Sequence, residues 1–274
     1  MFLLCLPAVG IWYYRKTHPR YVPPPPREEV TITIIPGWNL RQIADYLVEK
    51  KLATSTEAVF AITGKPVHIA NQNEPWSYGP SLDLLEQIPP RLNLEGYLAP
   101  ETYRVFKDSP LILNDEDFGI IDKMIFQRDK EITPDMRQEI TDSKKTPHQI
   151  LTMASIIEKE TKFPEDRSIV ADILWRRVQR GIRLQVDSTV HYLVNRSGDV
   201  FTTGEERQID SPWNTYKYAG LPPGPICNPS VESIKAAMRP QKNDYWYFLS
   251  DKEGRLHYAK TLEEQNENAR KYLR

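Results

Sequence analysis

Two cysteines in 274 residues, Cys5 and Cys227, are too few for a disulfide framework or a thiolate metal site. An excess of charge is missing too. The 36 basic residues against 37 acidic ones leave a net charge of -1, so nothing electrostatic points to nucleic acid. A run long enough to span a bilayer is absent as well. The one strongly apolar stretch, Met1 to Tyr14, is about fourteen residues, short of the roughly 20 that a helix needs. It carries Pro7 inside, no basic residues before it and no small-residue cleavage site, which argues against a signal peptide. Trp12, Tyr13 and Tyr14 beside Arg15 and Lys16 instead look like the interfacial end of a membrane span. The expectation is a truncated membrane anchor over residues 1–16.

Proline is plentiful. The 23 prolines cluster at segment boundaries, and YVPPPPR at Tyr21 to Arg27 is a stiff polyproline stretch. Residues 17–28 therefore form a proline-rich linker. The centre of the chain is TPHQILTMASIIEKET, Thr146 to Thr161. Thr146 suits a helix N-cap, Pro147 the first helical position, and Gln149 completes a capping box. Apolar residues at Ile150, Met153, Ala154 and Ile157 recur at helical spacing, while Leu151 and Ile156 fill other faces. The pattern predicts a helix buried nearly all round.

Its last turn nevertheless carries Glu158 and Glu160. The negative end of the helix dipole disfavours an ionised carboxyl there, and burial acts the same way. A carboxyl kept protonated near neutral pH is what a general acid needs. The alternative is a solvated helix end in which Glu158 pairs with Lys162 at i,i+4.

Around this helix the chain reads as α+β. Val30 to Ile35 is a β-branched strand, Pro36-Gly37 a turn, and Asn39 and Ser55 cap two short helices. Strand, turn, helix, helix is the outline of a small LysM-like module. Residues 66–92 read as a linker or irregular layer, and the module with this layer is bounded at 29–92. The remainder, 93–274, is expected to be a catalytic domain. In it, LEGYLAPETYRVF sets Glu95, Glu101, Tyr97 and Tyr103 around a glycine and a proline. Aromatic faces and carboxylates of this kind suit sugar rings and hydroxyls, although a tight turn with surface acids fits equally.

Helices are expected over 115–128, 134–140 and 165–180, the last ended by Gly181. Arg176, Arg177, Arg180 and Arg183 make a basic run, read first as a solvated face and second as a contact for anionic glycan or lipid. LQVDSTVHY gathers Gln185, Asp187 and Thr189, with Asp187 a fair N-cap. Ser211 to Ser230 is a proline-rich loop of about twenty residues whose aromatics argue against disorder. Its Asn214, Thr215 and Tyr216 offer groups suited to N-acetyl sugars. A helix at 231–238, a hairpin with strands at 245–249 and 256–259, and a terminal helix opened by Thr261 and Glu264 complete the chain.

Five stretches in this order, LEGYLAPETYRVF, ASIIEKET, LQVDSTVHY, NTYKYAGLPPGPICNPS and the YWYFL hairpin, resemble the endolytic murein transglycosylases (MltG/YceG-like) over roughly residues 30 to 273. The resemblance implies a LysM-like module followed by an α+β lytic transglycosylase domain. It also implies anchoring as a single-pass protein in the bacterial cytoplasmic membrane, with the body outside. Its substrate would be nascent peptidoglycan strands, with peptidoglycan synthases as candidate partners and no metal or cofactor. The family's catalytic glutamate carries over to Glu160, with Glu158 as the alternative. Glu95, Glu101, Gln185, Asp187, Thr189, Asn214 and Tyr216 are expected to position substrate. Other readings are a hydrolytic muramidase using a second acid and a non-catalytic glycan-binding scaffold. Two departures from the family stand out, a short N-terminal region and a PGW turn lacking the acidic residue usual before its glycine.

Overall fold

The computed structural model describes residues 26–68, 75–79, 82–114, 117–196 and 201–273. The expected anchor, Cys5 and all but the last three residues of the proline-rich linker lie outside the described residues. Among the described residues no helix is long and apolar enough to cross a membrane.

The fold is mixed helix and sheet. Strand β1 (Glu29–Thr33) leads through a tight turn into α1 (Leu40–Glu49) and α2 (Thr56–Thr63). Asn39 caps α1 in a full capping box with Gln42, and the Ser55 hydroxyl accepts from the Ala58 N–H to start α2. A one-turn helix, α3 (Asp83–Glu86), interrupts the stretch expected to be irregular. Strand β2 (Thr102–Phe106) then pairs antiparallel with β1, setting Val30 opposite Val105 and Thr33 opposite Thr102. The partner of β1 thus lies beyond residue 92, where the sequence placed the end of the module. Alternation does the rest: Ile32, Tyr103 and Val105 face the core while their neighbours face solvent.

The β1–α1 turn is bound into the body. Gly37 has φ +83, a conformation that suits glycine, and its N–H donates to the Asn228 carbonyl at 2.9 Å. Asn228, fully buried, returns a backbone bond to Trp38 and holds the Leu98 N–H with its side-chain oxygen. Gly96 has a similar role. At φ +86, a Cβ there would stand 2.6 Å from the Pro225 ring.

Helices α4 (Ile120–Glu131) and α5 (Pro134–Asp142) precede the central helix α6 (Pro147–Glu160). Helix α4 starts later than the 115–128 expectation, and Asp115 and Glu116 lie outside the described residues. Helix α6 begins as read from sequence: the Thr146 hydroxyl takes the Gln149 N–H and Gln149 returns a bond to the Thr146 N–H. Every residue from Ile150 to Ile157 is buried. Around α6 pack α5, α7 (Arg167–Gln179), α8 (Asp187–Leu193) and α9 (Val231–Met238). The hairpin of β3 (Tyr247–Ser250) and β4 (Leu256–Ala259), with α10 (Leu262–Tyr272), closes the chain.

Candidate active site

The last turn of α6 sends its two acids to different neighbours. Glu158 turns toward α9, where its Oε2 accepts from the Ser230 N–H at 3.0 Å and the Ser230 hydroxyl at 2.6 Å. Arg167 stands 3.7 Å from its other oxygen. It does not pair with Lys162, which donates instead to the Glu253 carbonyl. Glu158 therefore supports the N-cap of α9.

Glu160, the final residue of α6, turns toward α8. Its Oε1 accepts from the Ser188 hydroxyl at 2.6 Å. The side chain is half-buried, and loss of solvent pushes its pKa up to about 7. The Ser188 hydroxyl opposes that rise, the nearby Asp187 charge adds to it, and the Ser188 N–H and Lys159 oppose it. Behind it, Thr161 caps the helix: its N–H and hydroxyl both donate to the Ile157 carbonyl, the latter at 2.8 Å. Glu160 thus combines a pKa near neutrality with a fixed backbone and partial access.

Asp187 is the first residue of α8, whose N-cap is Val186. It is not the cap that the sequence suggested. Its carboxylate goes to the loop instead, where Oδ1 accepts from the Tyr216 hydroxyl at 2.6 Å and from the Thr202 hydroxyl. Arg207 stands 3.8 Å away and lies over the Tyr216 ring, 4.9 Å from its centroid. Burial is the main cause that raises the Tyr216 pKa, with Asp187 adding to it, so the phenol is a proton donor at neutral pH. Glu160, Ser188, Asp187, Tyr216, Thr202 and Arg207 therefore form one connected group. Ser188, Thr202 and Arg207 were not singled out from sequence. Ser188 had one available signal, its place directly after Asp187.

The other expected sugar contacts are placed differently. Glu95 is 1% exposed, and its two oxygens accept from the Leu40 N–H at 3.0 and 3.1 Å. Asn228 donates to it at 3.2 Å. It serves the start of α1, where a carboxylate satisfies an orphan N–H. Asn214 is fully buried and spends its amide on the Arg207 and Ile209 carbonyls. Thr189 is also fully buried, with its hydroxyl on the Val186 carbonyl and 3.0 Å from Thr215. Both scaffold the loop. Glu101 is exposed at the start of β2, where it accepts from the Thr102 N–H, apart from the Glu160 group. Gln185 is exposed with φ +55, and its N–H donates to the Thr215 carbonyl at 3.1 Å. It shapes the turn that brings the loop to α8.

Tyr97 and Tyr103 also turn inward. Tyr97 donates to His148 Nδ1 at 2.8 Å, and His148 Nε2 donates to the Pro223 carbonyl at 2.7 Å. Burial lowers the His148 pKa, which keeps this relay neutral. A cavity of about 460 Å³ opens at this end of α6, between Thr146, His148, Trp175 and Leu221. Fourteen residues of helix, about 21 Å, separate the two ends, so this cavity is distinct from the Glu160 group.

Comparison with known proteins gives the family. The YceG-like family profile matches residues 20–271. A Bacillus subtilis protein named endolytic murein transglycosylase is 40% identical over 180 residues, 66% of this chain and 48% of its own length. One of the same name from Streptococcus pneumoniae is 32% identical over 264 residues, covering 90% of this chain and 46% of its own. The chain thus spans about half the length of the curated relatives it matches. The crystal structure of a YceG-like protein from Listeria monocytogenes superposes with a TM-score of 0.68 at 34% identity, over 87% of this chain and 75% of that one. The profile takes in both strands of the small sheet and nearly all that follows them, and the chain belongs to the YceG-like family.

Proposed function

We propose that the chain is an endolytic peptidoglycan lytic transglycosylase with Glu160 as its single acid–base group. Glu160 protonates the glycosidic oxygen between N-acetylmuramic acid and N-acetylglucosamine. The bond breaks through an oxocarbenium-like state. The resulting carboxylate then takes the proton of the muramic C6 hydroxyl as its oxygen closes on C1, leaving a 1,6-anhydro ring. No water is consumed, whereas hydrolysis uses a second carboxylate and a water.

The observation that carries this reading is Glu160 itself. It is an accessible carboxyl with a pKa of about 7, held at 2.6 Å by Ser188. A group poised near the working pH serves equally as acid and base. Asp187 and Tyr216 stand beside it as positioning groups. The Asp187 carboxylate is already engaged by Tyr216, Thr202 and Arg207, which leaves it poorly placed to activate a water. The name endolytic murein transglycosylase on relatives at 32 to 40% identity supports the activity.

The order β1, α1, α2, then the one-turn α3 and β2, supports a LysM-like glycan-binding unit, which extends to Phe106 once its second strand is included. In this reading residues 1–16 anchor the protein in the bacterial cytoplasmic membrane through the 17–28 linker, with the body outside and peptidoglycan synthases as partners. The catalytic part follows the small unit through residue 274.

Incubation of the full chain with purified peptidoglycan, followed by mass analysis, tests the chemistry. New ends should be 1,6-anhydro-N-acetylmuramic acid, about 18 mass units below the reducing ends that hydrolysis leaves. Mid-strand fragments should appear early. Reducing ends that incorporate labelled water oxygen would replace this reading with a muramidase. Glycan binding without new ends would leave a scaffold.

A further inference from the structure

The basic run at the end of α7 divides into two kinds of arginine. Arg176 is bonded to Asp172 at 2.9 Å, to Asn243 and to the Tyr245 carbonyl. Arg177 is buried and clamps the Leu184 carbonyl at 2.7 Å. These two hold the fold. Arg180 and Arg183 are exposed, and neither has a carboxylate partner within 4.0 Å among the described residues. Arg27, by contrast, pairs with Asp108 and Asp117, and Arg239 with Glu139.

The two free guanidinium groups are nevertheless held in place. Arg180 lies over the Trp246 ring at 4.9 Å, with Arg176 also stacked on that ring at 4.4 Å. Gly181, at φ +66, turns the chain out of the helix. Arg183 then reaches the proline-rich loop and donates from Nη1 to the Tyr216 carbonyl at 3.3 Å. From Tyr216 the path to the acid is short: its hydroxyl bonds Asp187, and the next residue, Ser188, bonds Glu160. A cation at a helix C-terminus can act solely on the helix dipole. That role accounts for Arg180 but not for Arg183, which lies beyond the helix and beside the loop.

We propose that Arg180 and Arg183 form a subsite for the carboxylates of the peptide stems that the muramic residues carry. The proposal rests on the peptidoglycan reading above and deepens it, since the preferred substrate becomes the stem-bearing strand and not the bare glycan. Guanidinium groups suit carboxylates because their N–H fork matches two oxygens.

The test compares the full chain with an Arg180→Gln/Arg183→Gln double variant on two sets of strands of matched length. One set keeps its stems. The other is stripped by an amidase and retains only the lactyl carboxylate. The variant should lose roughly 2- to 30-fold in kcat/KM on stem-bearing strands, the range of two exposed ion pairs. It should change less than about twofold on stripped ones, within the scatter of a surface substitution. Arg180→Lys/Arg183→Lys should recover part of the loss, and high salt should erase the difference. An equal loss on both substrates would place the arginines in a contact with the glycan that both share and overturn the proposal. No loss on either would make the arginines solvated surface. Strand affinity by co-sedimentation separates the two levels. If the wild type cuts nothing yet binds stem-bearing strands better than the double variant does, the catalytic reading fails and the subsite stands.

Discussion

Replacing Ser188 by alanine should move the pH dependence of cleavage in a direction fixed by the geometry. The Ser188 hydroxyl donates to Glu160 Oε1 at 2.6 Å, a bond that favours the carboxylate. Burial and the Asp187 charge drive the Glu160 pKa up to about 7, and Ser188 restrains that rise. A hydrogen bond to a charged group contributes about 1.5 to 3 kcal/mol, and one pH unit corresponds to about 1.4 kcal/mol. Glu160 is only half-buried, so water entering the space left by the hydroxyl recovers part of this. The expected displacement is therefore about one pH unit. An acid works while protonated, so wild-type kcat/KM should fall on the alkaline side near the Glu160 pKa of about 7. In Ser188→Ala that limb should lie about one unit higher, with a lower plateau because the carboxyl is less firmly oriented. Asp187→Asn should displace the limb the other way, since it removes the neighbouring negative charge. The assay is release of 1,6-anhydro ends from purified peptidoglycan between pH 5 and 9, with thermal unfolding as a control on folding. A Ser188→Ala limb that stays in place or moves downward, in a folded protein, would refute the assignment of Glu160 as the titrating acid.

Glu160→Gln should remove general acid–base catalysis at a cost of about 10² to 10⁴ in rate while leaving the melting temperature near wild type. Glu158→Gln should do the reverse. It should keep most of the activity and lose about 1 to 2 kcal/mol of stability as the cap on Ser230 weakens; an inactive but fully stable Glu158→Gln would transfer the acid to that residue. Glu95→Gln tests burial without catalysis. The Glu95 pKa rises in the fold from 4.5 to about 7, chiefly through burial. The folded state therefore holds a proton that the unfolded chain gives up, and wild-type stability falls as pH rises through that window, by about 3 kcal/mol in all. The amide does not titrate, so the stability of Glu95→Gln relative to wild type should climb between pH 4.5 and 7. Parallel melting curves across that range would count against it.

What was legible in the sequence was local. The Thr146–Gln149 capping box, Pro147, the Asn39 and Ser55 caps and the terminal hairpin all depend on contacts a few residues apart, and all were found where read. What was not legible depends on distant partners. The TYRVF segment became strand β2 because β1, about seventy residues earlier, offers its edge; read alone, Glu101 and Tyr103 suggested a sugar site. Glu95 resembled a ligand contact until the N-terminus of α1 claimed both its oxygens. Asn214 and Thr189 have the chemistry for a sugar, yet Asn214 spends its amide on the Arg207 and Ile209 carbonyls and Thr189 ties α8 to the loop through Thr215. Polar groups in a buried irregular loop must find partners within the protein, and that demand takes up side chains that would otherwise be free for a ligand.

The alternative between Glu158 and Glu160 shows what the fold adds. On a helix, residues two apart diverge by about 200° around the axis, so the two carboxyls must face opposite sides wherever α6 is packed. Amphipathic periodicity could not say which side was which, because α6 is buried on all of them. Packing tells the two sides apart: α9 presents a hydrogen-bonding serine N-cap to one, and α8 brings Ser188 and Asp187 to the other. The first neighbour offers donors that bind a carboxylate and keep it occupied. The second offers one donor and one negative charge, which leaves the proton on Glu160 finely balanced near neutral pH. Glu95 reaches a similar pKa by burial alone, but it is closed beneath α1. A raised pKa therefore marks a buried carboxyl, and of these two only Glu160, at the half-open end of α6, keeps access to solvent.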